Sequence, residues 1–548
     1  GTLPPAAQEE LLAAASPVRL HAREWLFREG DDADRLYFVV SGRLRVVVEH
    51  DGETRIARLL GPGAAIGELA ILTGAPRSAS VQAVRDSELL EIESDRFLDL
   101  LVRDPEFGAE LARSLARQLQ QSGGLVAPDS QPSVFTVVPV AGVEASPFID
   151  ALQEGFAGLG PTALLDRPDG GGWSAELAAL EAGHAHVLLV ARPDDAEWAD
   201  FCLRQADRVL LVAGGAPPAP LPAVAECELA LLGAPTAETV AAWRTTFSVR
   251  AHHVVPEDDP EAPRRVARRL AGRSLGLVLS GGGARAFAHL GVLEVLAEEG
   301  FAVDRVGGTS MGAFISAMVA LGWTTERMLE TCRIEVAQRA PFSDYTLPRY
   351  ALIRARRAES MLRRVFGDVW VEELPRPLFT VSADLLSGQM VVHRDGSLVE
   401  AVGASMAIPG LAPPVSHGAQ LLIDGGVLNN LPIDLMVADE PGPVLAVDVM
   451  RRVAIDELAT TPGSSLPTIL ETLSRATVLG SIERAEANRG LARIVIAPDV
   501  QQVSLRDFRR LETAVEEGRR AAEEALAAGA KVALLDALAE RAPAAVGG

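Results

Sequence analysis

Lysine is almost missing: Lys531 is the only lysine among 51 basic residues, and the rest are arginines. Against them stand 74 acidic residues, giving a formal charge of −23. That balance excludes broad nucleic-acid binding and a strongly basic membrane-docking surface. Cysteine is scarce too. Cys202, Cys227 and Cys332 are odd in number and scattered, which excludes a disulfide framework or a zinc site and fits a reducing compartment. No metal is expected. No uninterrupted apolar run reaches the roughly 18 to 20 residues that span a bilayer, and no signal peptide opens the chain. The expected setting is the cytoplasm, with peripheral contact at the inner face of the membrane. Gly1 in place of Met reads as a processed or trimmed start, compatible with an anchor lost upstream.

What is present is enough apolar residue for several cores. At 548 residues and 48% hydrophobic content the chain is neither disordered nor one domain. Residues 17 to 94 read as short strands separated by turns. Strand-like runs flank Ser41-Gly42, and a hairpin turn is expected at Asp51-Gly52. From about 95 the period turns helical, and Ser122 to Pro132, rich in Gly, Pro and Ser, reads as a linker. Residues 133 to 255 alternate buried-strand candidates ("SVFTVVPV", "HVLLVAR", "ADRVLLVAG") with helices, the pattern of an α/β layer. "PEDDPEAPRRVARRLAGR" (256 to 273) runs from acidic to basic and reads as a second linker. The domain limits expected from this are 1–124, 133–256 and 274–530.

Two glycine turns in the last segment carry chemistry. "LGLVLSGGGARAFAHLGVLEVL" is a strand, a glycine turn and a helix. Read as Gly281-x-Gly283-x-x-Ala286, with Glu299 or Asp304 as the acidic residue, it also fits a dinucleotide fingerprint. Three consecutive glycines suit an anion cradle better, because successive N–H groups at a helix N-terminus point at one ligand. Beside a nucleophile such a cradle is an oxyanion hole, each donor worth about 3 to 4 kcal/mol to the transition state. The next strand-turn-helix, "VDRVGGTSMGAFISAMVAL", holds Ser310 in the Gly-x-Ser-x-Gly spacing of a sharp strand-to-helix turn. A βαβ crossover would bring both turns to one sheet edge. The simpler role for Ser310 is a helix cap. No histidine is well set to activate it: His289 lies within the first helix and His393 in "QMVVHRDG" is strand-like. Asp424 in "QLLIDGGVLNNLPI" is delivered by an apolar strand to a glycine turn, and is the stronger candidate, although an ordinary Asp-Gly turn looks the same.

"GGGARAFAHLGVLEVL", "GGTSMG" and "DGGVLNNLPIDL" together resemble a patatin-like phospholipase, over roughly residues 274 to 525. "FTVSADLLSGQMVVHRDGSLVEAVGASMAIPGLAPP" is similar to the neuropathy target esterase branch. The resemblance implies a serine–aspartate dyad, Ser310 with Asp424. It also implies an oxyanion hole at Gly281, Gly282 and Gly283, with Arg285 locking the loop or adding positive charge. Ala286 stands where the family usually has glycine. No cofactor is implied for catalysis. The substrate implied is a phospholipid or lysophospholipid ester taken from a membrane or micelle, with "YTLPRYALIRARRAESMLRRVF" (345 to 366) as a lid or as a helix packed on its own domain. The middle segment resembles a nucleotide-hydrolase-like α/β fold, but it lacks Gly-x-x-x-x-Gly-Lys-[Ser/Thr]. "VPVAGVEASPFIDAL" stands in the phosphate-loop place without the lysine, so the segment reads as structural or coupling.

"AIGELAILTGAPRSASVQAV" resembles the phosphate cassette of cyclic-nucleotide-binding domains, through Gly67, Glu68, Leu69, Ala70, Arg77, Ser78 and Ala79. A surface Glu–Arg pair is the plainer reading. The likeness implies Glu68 on the ribose 2′-hydroxyl and Arg77 on the cyclic phosphate; Ser78 suits cyclic AMP or cyclic GMP, with cyclic AMP favoured. The fold expected is therefore multidomain: an N-terminal β-roll plus helices, a middle α/β domain without a P-loop, and a C-terminal patatin-like α/β domain. The function expected is a serine acyl hydrolase regulated by cyclic nucleotide, and a homo-oligomer is compatible with it. The rival is a cyclic-nucleotide receptor or scaffold carrying an inactive lipase-like domain.

Overall fold

The alternation of apolar and polar residues in "SVQAVRDSELLEIE" puts every second side chain on one sheet face, and Ser80–Glu93 is a long strand of an antiparallel β-roll. The structure, a computed structural model, describes residues 15–50, 53–103, 133–140, 142–167, 172–192, 194–217, 224, 226–347, 349–450 and 479–539. In the roll, Ser16–Leu20, Ser80–Glu93, Arg35–His50 and Glu53–Leu60 lie in that order, with Trp25–Phe27 and Ala65–Ile66 at the side. The runs around Ser41-Gly42 are one strand, Arg35–His50, whose register slips between Val39 and Leu44. Leu20, Tyr37, Val39, Leu44, Val81 and Leu89 fill the core. The expected turn at Asp51-Gly52 and the linker at 122–132 lie outside the described residues.

The middle sheet runs in the order Val249–Val255, Cys227–Leu232, Arg208–Ala213, Val134–Pro139, His186–Val190, Thr162–Leu165. The continuous apolar runs foreseen as buried strands are three of these six. Residues up to 212 with 220–228 form one compact unit, and residues 213–219 with 229–539 form another. Within the first, the buried Asp207 is ion-paired with Arg43 at 3.1 Å and Arg85 at 3.2 Å from the β-roll. Burial opposes its ionised form, yet the two guanidinium groups and two backbone N–H bonds bring its pKa below the usual range. Within the second, the stretch 256–273 is no free linker. Helix Ala262–Leu270 buries Val266, Ala267 and Leu270, and Arg268 holds Asp304 at 2.8 Å.

The third sheet has the order Val415–His417, Gln420–Asp424, Leu378–Asp384, Arg305–Thr309, Gly276–Leu279, Val444–Val447, Ile494–Ile496, and Met390–His393 pairs with Leu378–Asp384. Gly276–Leu279, Arg305–Thr309 and Leu378–Asp384 are parallel neighbours, so their outgoing turns share one sheet edge. Gln420–Asp424 is antiparallel to them and sets Asp424 opposite Ser382. Every residue of Gly276–Leu279 and Arg305–Thr309 is buried, as an inner parallel strand covered by helices on both faces requires. Among the described residues no helix is long and apolar enough to cross a membrane.

Candidate active site

Ser310 stands between strand Arg305–Thr309 and helix Met311–Ala320 with φ 57° and ψ −128°. Few side chains adopt this conformation, and it persists only where neighbours over-determine it. The neighbours are named by the glycines. A Cβ at Gly308 would lie 2.8 Å from the Leu279 carbonyl oxygen, and one at Gly312 would lie 2.4 Å from it. The two glycines thus let the serine turn press against the end of the cradle strand. From the other side the Ser310 N–H donates to Ser405 Oγ at 2.9 Å, and Ser405 Oγ donates to the Val381 carbonyl at 2.6 Å. Sequence reasoning passed over Ser405, whose small hydroxyl in "GASMAIPG" gives no local signal.

The Asp424 carboxylate lies beside the Ser310 hydroxyl, which favours its ionised form, and it accepts the Gly426 N–H at 2.8 Å. Asp424 is buried, and burial pushes its pKa up to about 6 even though both groups favour the ionised form. A carboxylate of that strength is ionised at neutral pH and still basic enough to take a proton.

The glycine cradle closes the other side. Gly281 N–H is engaged by the Asn430 carbonyl at 3.3 Å, whereas Gly282 and Gly283 donate to no backbone carbonyl among the described residues. Gly283 has φ 53°, and a Cβ there would sit 2.1 Å from the Leu505 carbonyl oxygen. Arg285 points away from the cavity: its Nε donates to the Val503 carbonyl at 2.8 Å and its guanidinium reaches the Gln501 carbonyl at 3.4 Å. Of its two expected roles it is placed for locking the loop. Ala286 is fully buried. The dinucleotide alternative loses its acidic residue, because Asp304 is buried against Arg268 and Glu299 pairs with Lys531. His289 Nε2 is 2.9 Å from the Ser280 carbonyl, buried beneath the cradle, and its pKa falls to about 4 through desolvation. His393 is 2.7 Å from Ser382 Oγ. Neither lines the cavity of Ser310.

That cavity has a volume of about 510 Å³ and contains Gly281, Gly282, Gly283, Ser310 and Asp424. Val336, Phe342, Ile353, Ile408, Leu411 and Phe508 make its walls apolar. Tyr345 stands at the mouth with its hydroxyl 2.6 Å from Arg506, and Leu347 and Tyr350 beyond it are 90% and 76% exposed. The helix in the expected lid, Arg356–Phe366, buries Met361, Leu362 and Phe366, while Arg363 and Arg364 pair with Glu359 and Glu335. It is a helix packed on its own domain.

In the β-roll, Gly67, Glu68, Leu69, Ala70, Arg77, Ser78 and Ala79 line one cavity of about 170 Å³. Glu68 and Arg77 are both buried, which a surface pair would not be. Arg77 donates to the Arg35 carbonyl at 2.6 Å and the Gly67 carbonyl at 3.3 Å, with its guanidinium 4.2 Å over the Phe27 ring. Arg58, which sequence reading missed, lines the same cavity, and its charge acts on Glu68, whose pKa burial nevertheless raises. It came from a strand whose alternation alone could not tell pocket from solvent.

Residues 277–437 match the patatin-like phospholipase family, and 17–104 match the cyclic nucleotide-binding domain. An uncharacterized NTE family protein of Mycobacterium tuberculosis is 36% identical over 554 residues, covering 95% of this chain and 93% of that protein. The chain belongs to the NTE family. This NTE family protein is also 32% identical over 524 residues to human patatin-like phospholipase domain-containing protein 6, with 80% of the chain covering 38% of that longer protein. Its N-terminal part is similar to the regulatory domain of Toxoplasma gondii PKA solved with cAMP, at 38% identity over 18% of this chain and 38% of that one, with a TM-score of 0.18. The NTE family protein thus combines a cyclic nucleotide-binding β-roll with a patatin-like phospholipase domain.

Proposed function

We propose that this protein is a serine acyl hydrolase of phospholipid or lysophospholipid esters, working through Ser310 and Asp424. The observation that carries the proposal is Ser310, at a left-handed turn, beside the buried Asp424 carboxylate in one large apolar cavity that also holds the glycine cradle. As Ser310 Oγ attacks the acyl carbonyl carbon, Asp424 takes the hydroxyl proton, and the oxygen of the tetrahedral intermediate lies against Gly282 and Gly283 N–H. Collapse breaks the ester C–O bond, and the proton passes from Asp424 to the departing alkoxide. Water repeats the sequence on the acyl-serine and releases the carboxylic acid. The exposed Leu347 and Tyr350, in the segment that follows Tyr345 of the cavity wall, support loading of substrate from a membrane or micelle, hence peripheral contact. A cyclic nucleotide in the β-roll cavity is the regulator in this reading, Arg77 taking its phosphate and Glu68 its ribose hydroxyl; cyclic AMP is tested first and cyclic GMP second. A fluorophosphonate probe tests the chemistry. Covalent labelling of Ser310 is expected, and an unlabelled wild-type protein would leave a receptor with an inert lipase fold.

A further inference from the structure

The third sheet has a second cavity, of about 230 Å³, at the opposite edge from Ser310. Its floor is the start of strands Arg305–Thr309 and Leu378–Asp384, and its wall is Val249 to His252 with Arg244. Arg244, Arg250, Arg269, Arg305 and Arg394 face it, against only two carboxylates, Asp439 and Glu440. Both carboxylates are taken: Arg269 pairs with Glu440 and Arg394 with Asp439.

Three guanidinium groups remain. Arg305 is 2% exposed and donates only to carbonyls, those of Met436 at 3.2 Å, Glu440 at 3.0 Å and Ser274 at 3.2 Å. Among the described residues its Nε has no hydrogen-bond partner, and carboxylates act on it only at longer range. Arg250 has no ion-pair partner among the described residues. Arg244 reaches Asp395 at 3.8 Å in an exposed pair, a contact of little strength. His252 adds no charge, because it is bonded to the Glu372 carbonyl at 2.8 Å and held neutral by burial and by Arg269, His253 and Arg244. A recess with an excess of fixed positive charge, in a chain of net charge −23, concentrates anions, and a buried guanidinium without a counter-ion is a costly arrangement that an anion relieves.

We propose that this cavity binds a small phosphomonoester, its phosphate held by Arg244, Arg250 and Arg305 and its organic group lying against Val249, Leu374 and Pro375. A dianionic tetrahedral phosphate accepts from several guanidinium groups arranged around it, whereas one carboxylate pairs with a single fork. The cavity is larger than a bare phosphate, and its remaining wall is apolar. The floor includes the start of the strand that leads to Ser310. The site stands whether or not the protein hydrolyses lipid.

Titration calorimetry and thermal melts of the full chain, in low-salt phosphate-free buffer, test the site with phenyl phosphate, glycerol 3-phosphate and inorganic phosphate. The expected result is a raised melting temperature with both esters, more than with inorganic phosphate. Arg250→Glu and, separately, Arg244→Glu should weaken ester binding about tenfold or more. Both side chains are exposed, so each variant should melt like wild type without ligand. Arg77→Ala should leave ester binding unchanged. Equal stabilisation by inorganic phosphate would make this a free-ion site and overturn the ester. No stabilisation at all, undiminished binding in both glutamate variants, or loss of binding in Arg77→Ala would overturn the site itself.

Discussion

The two glycine-introduced sites differ in how their charged groups are engaged before any ligand arrives. At Ser310 the parts already stand together: hydroxyl beside carboxylate, strained turn, and two cradle amides that meet no backbone carbonyl among the described residues. In the β-roll, Arg77 is turned onto two backbone carbonyls and an aromatic ring, and Glu68 shares its cavity with Arg58. A catalytic site gains by being assembled in advance, because reorganisation during reaction raises the barrier. A regulatory site needs contacts that exchange on binding, since a ligand shifts an equilibrium only through its difference in affinity for two states.

The sharpest way to break this contrast is to remove the preassembled groups. Ser310→Ala and Asp424→Asn should each lower hydrolysis of a water-soluble short-chain ester by about 10² to 10⁴-fold or more, and near-wild-type rates in either would refute the dyad. Asp424→Asn carries a second signature. The folded protein holds the Asp424 proton more tightly than the unfolded chain does, so this group's stabilising contribution is lost as pH rises from the ordinary carboxylate range through about 6. The variant should therefore melt a few degrees higher than wild type at pH 7.

Next in size is Gly283→Ala, whose methyl would meet the Leu505 carbonyl and push the cradle out of line. A loss of about 10² to 10³-fold in kcat is expected, the scale of one missing oxyanion donor. An unchanged kcat would move the oxyanion hole elsewhere.

Arg77→Ala probes the other site and should weaken cyclic-nucleotide affinity about tenfold to a hundredfold by calorimetry. In the wild type, saturating cyclic AMP should change ester hydrolysis several-fold, upward, on the scale of about 1 to 3 kcal/mol of coupling. Tight binding with no change in rate would leave a receptor that switches nothing.

The pH profile bears on the base itself. Asp424 accepts a proton only when ionised, so kcat/KM should fall about tenfold for each unit of pH below about 6. A profile flat down to pH 5 would mean that the buried carboxylate is not the base.

The residue strings determined much by themselves. Glycine runs between an apolar strand and a helix admit few backbone paths, so Gly281 to Gly283, Ser310 and the Gly67 to Ala79 cassette could be located before any coordinates. Local periodicity also marked some strands in each of the three sheets, three of six in the middle one. It failed at 256–273, where arginines and prolines read as a linker although helix Ala262–Leu270 is packed, because the carboxylates that neutralise Arg268 and Arg269 lie far along the chain at Asp304 and Glu440. The same reason hid Ser405, Arg58 and the arginines around the second cavity. Only the tertiary structure decided that Gly281 is engaged by Asn430, that Arg285 turns from the cavity, and that burial raises the Asp424 pKa. Hydrogen-bond partners and desolvation are set by residues that fold next to a group, and sequence neighbours carry no record of them.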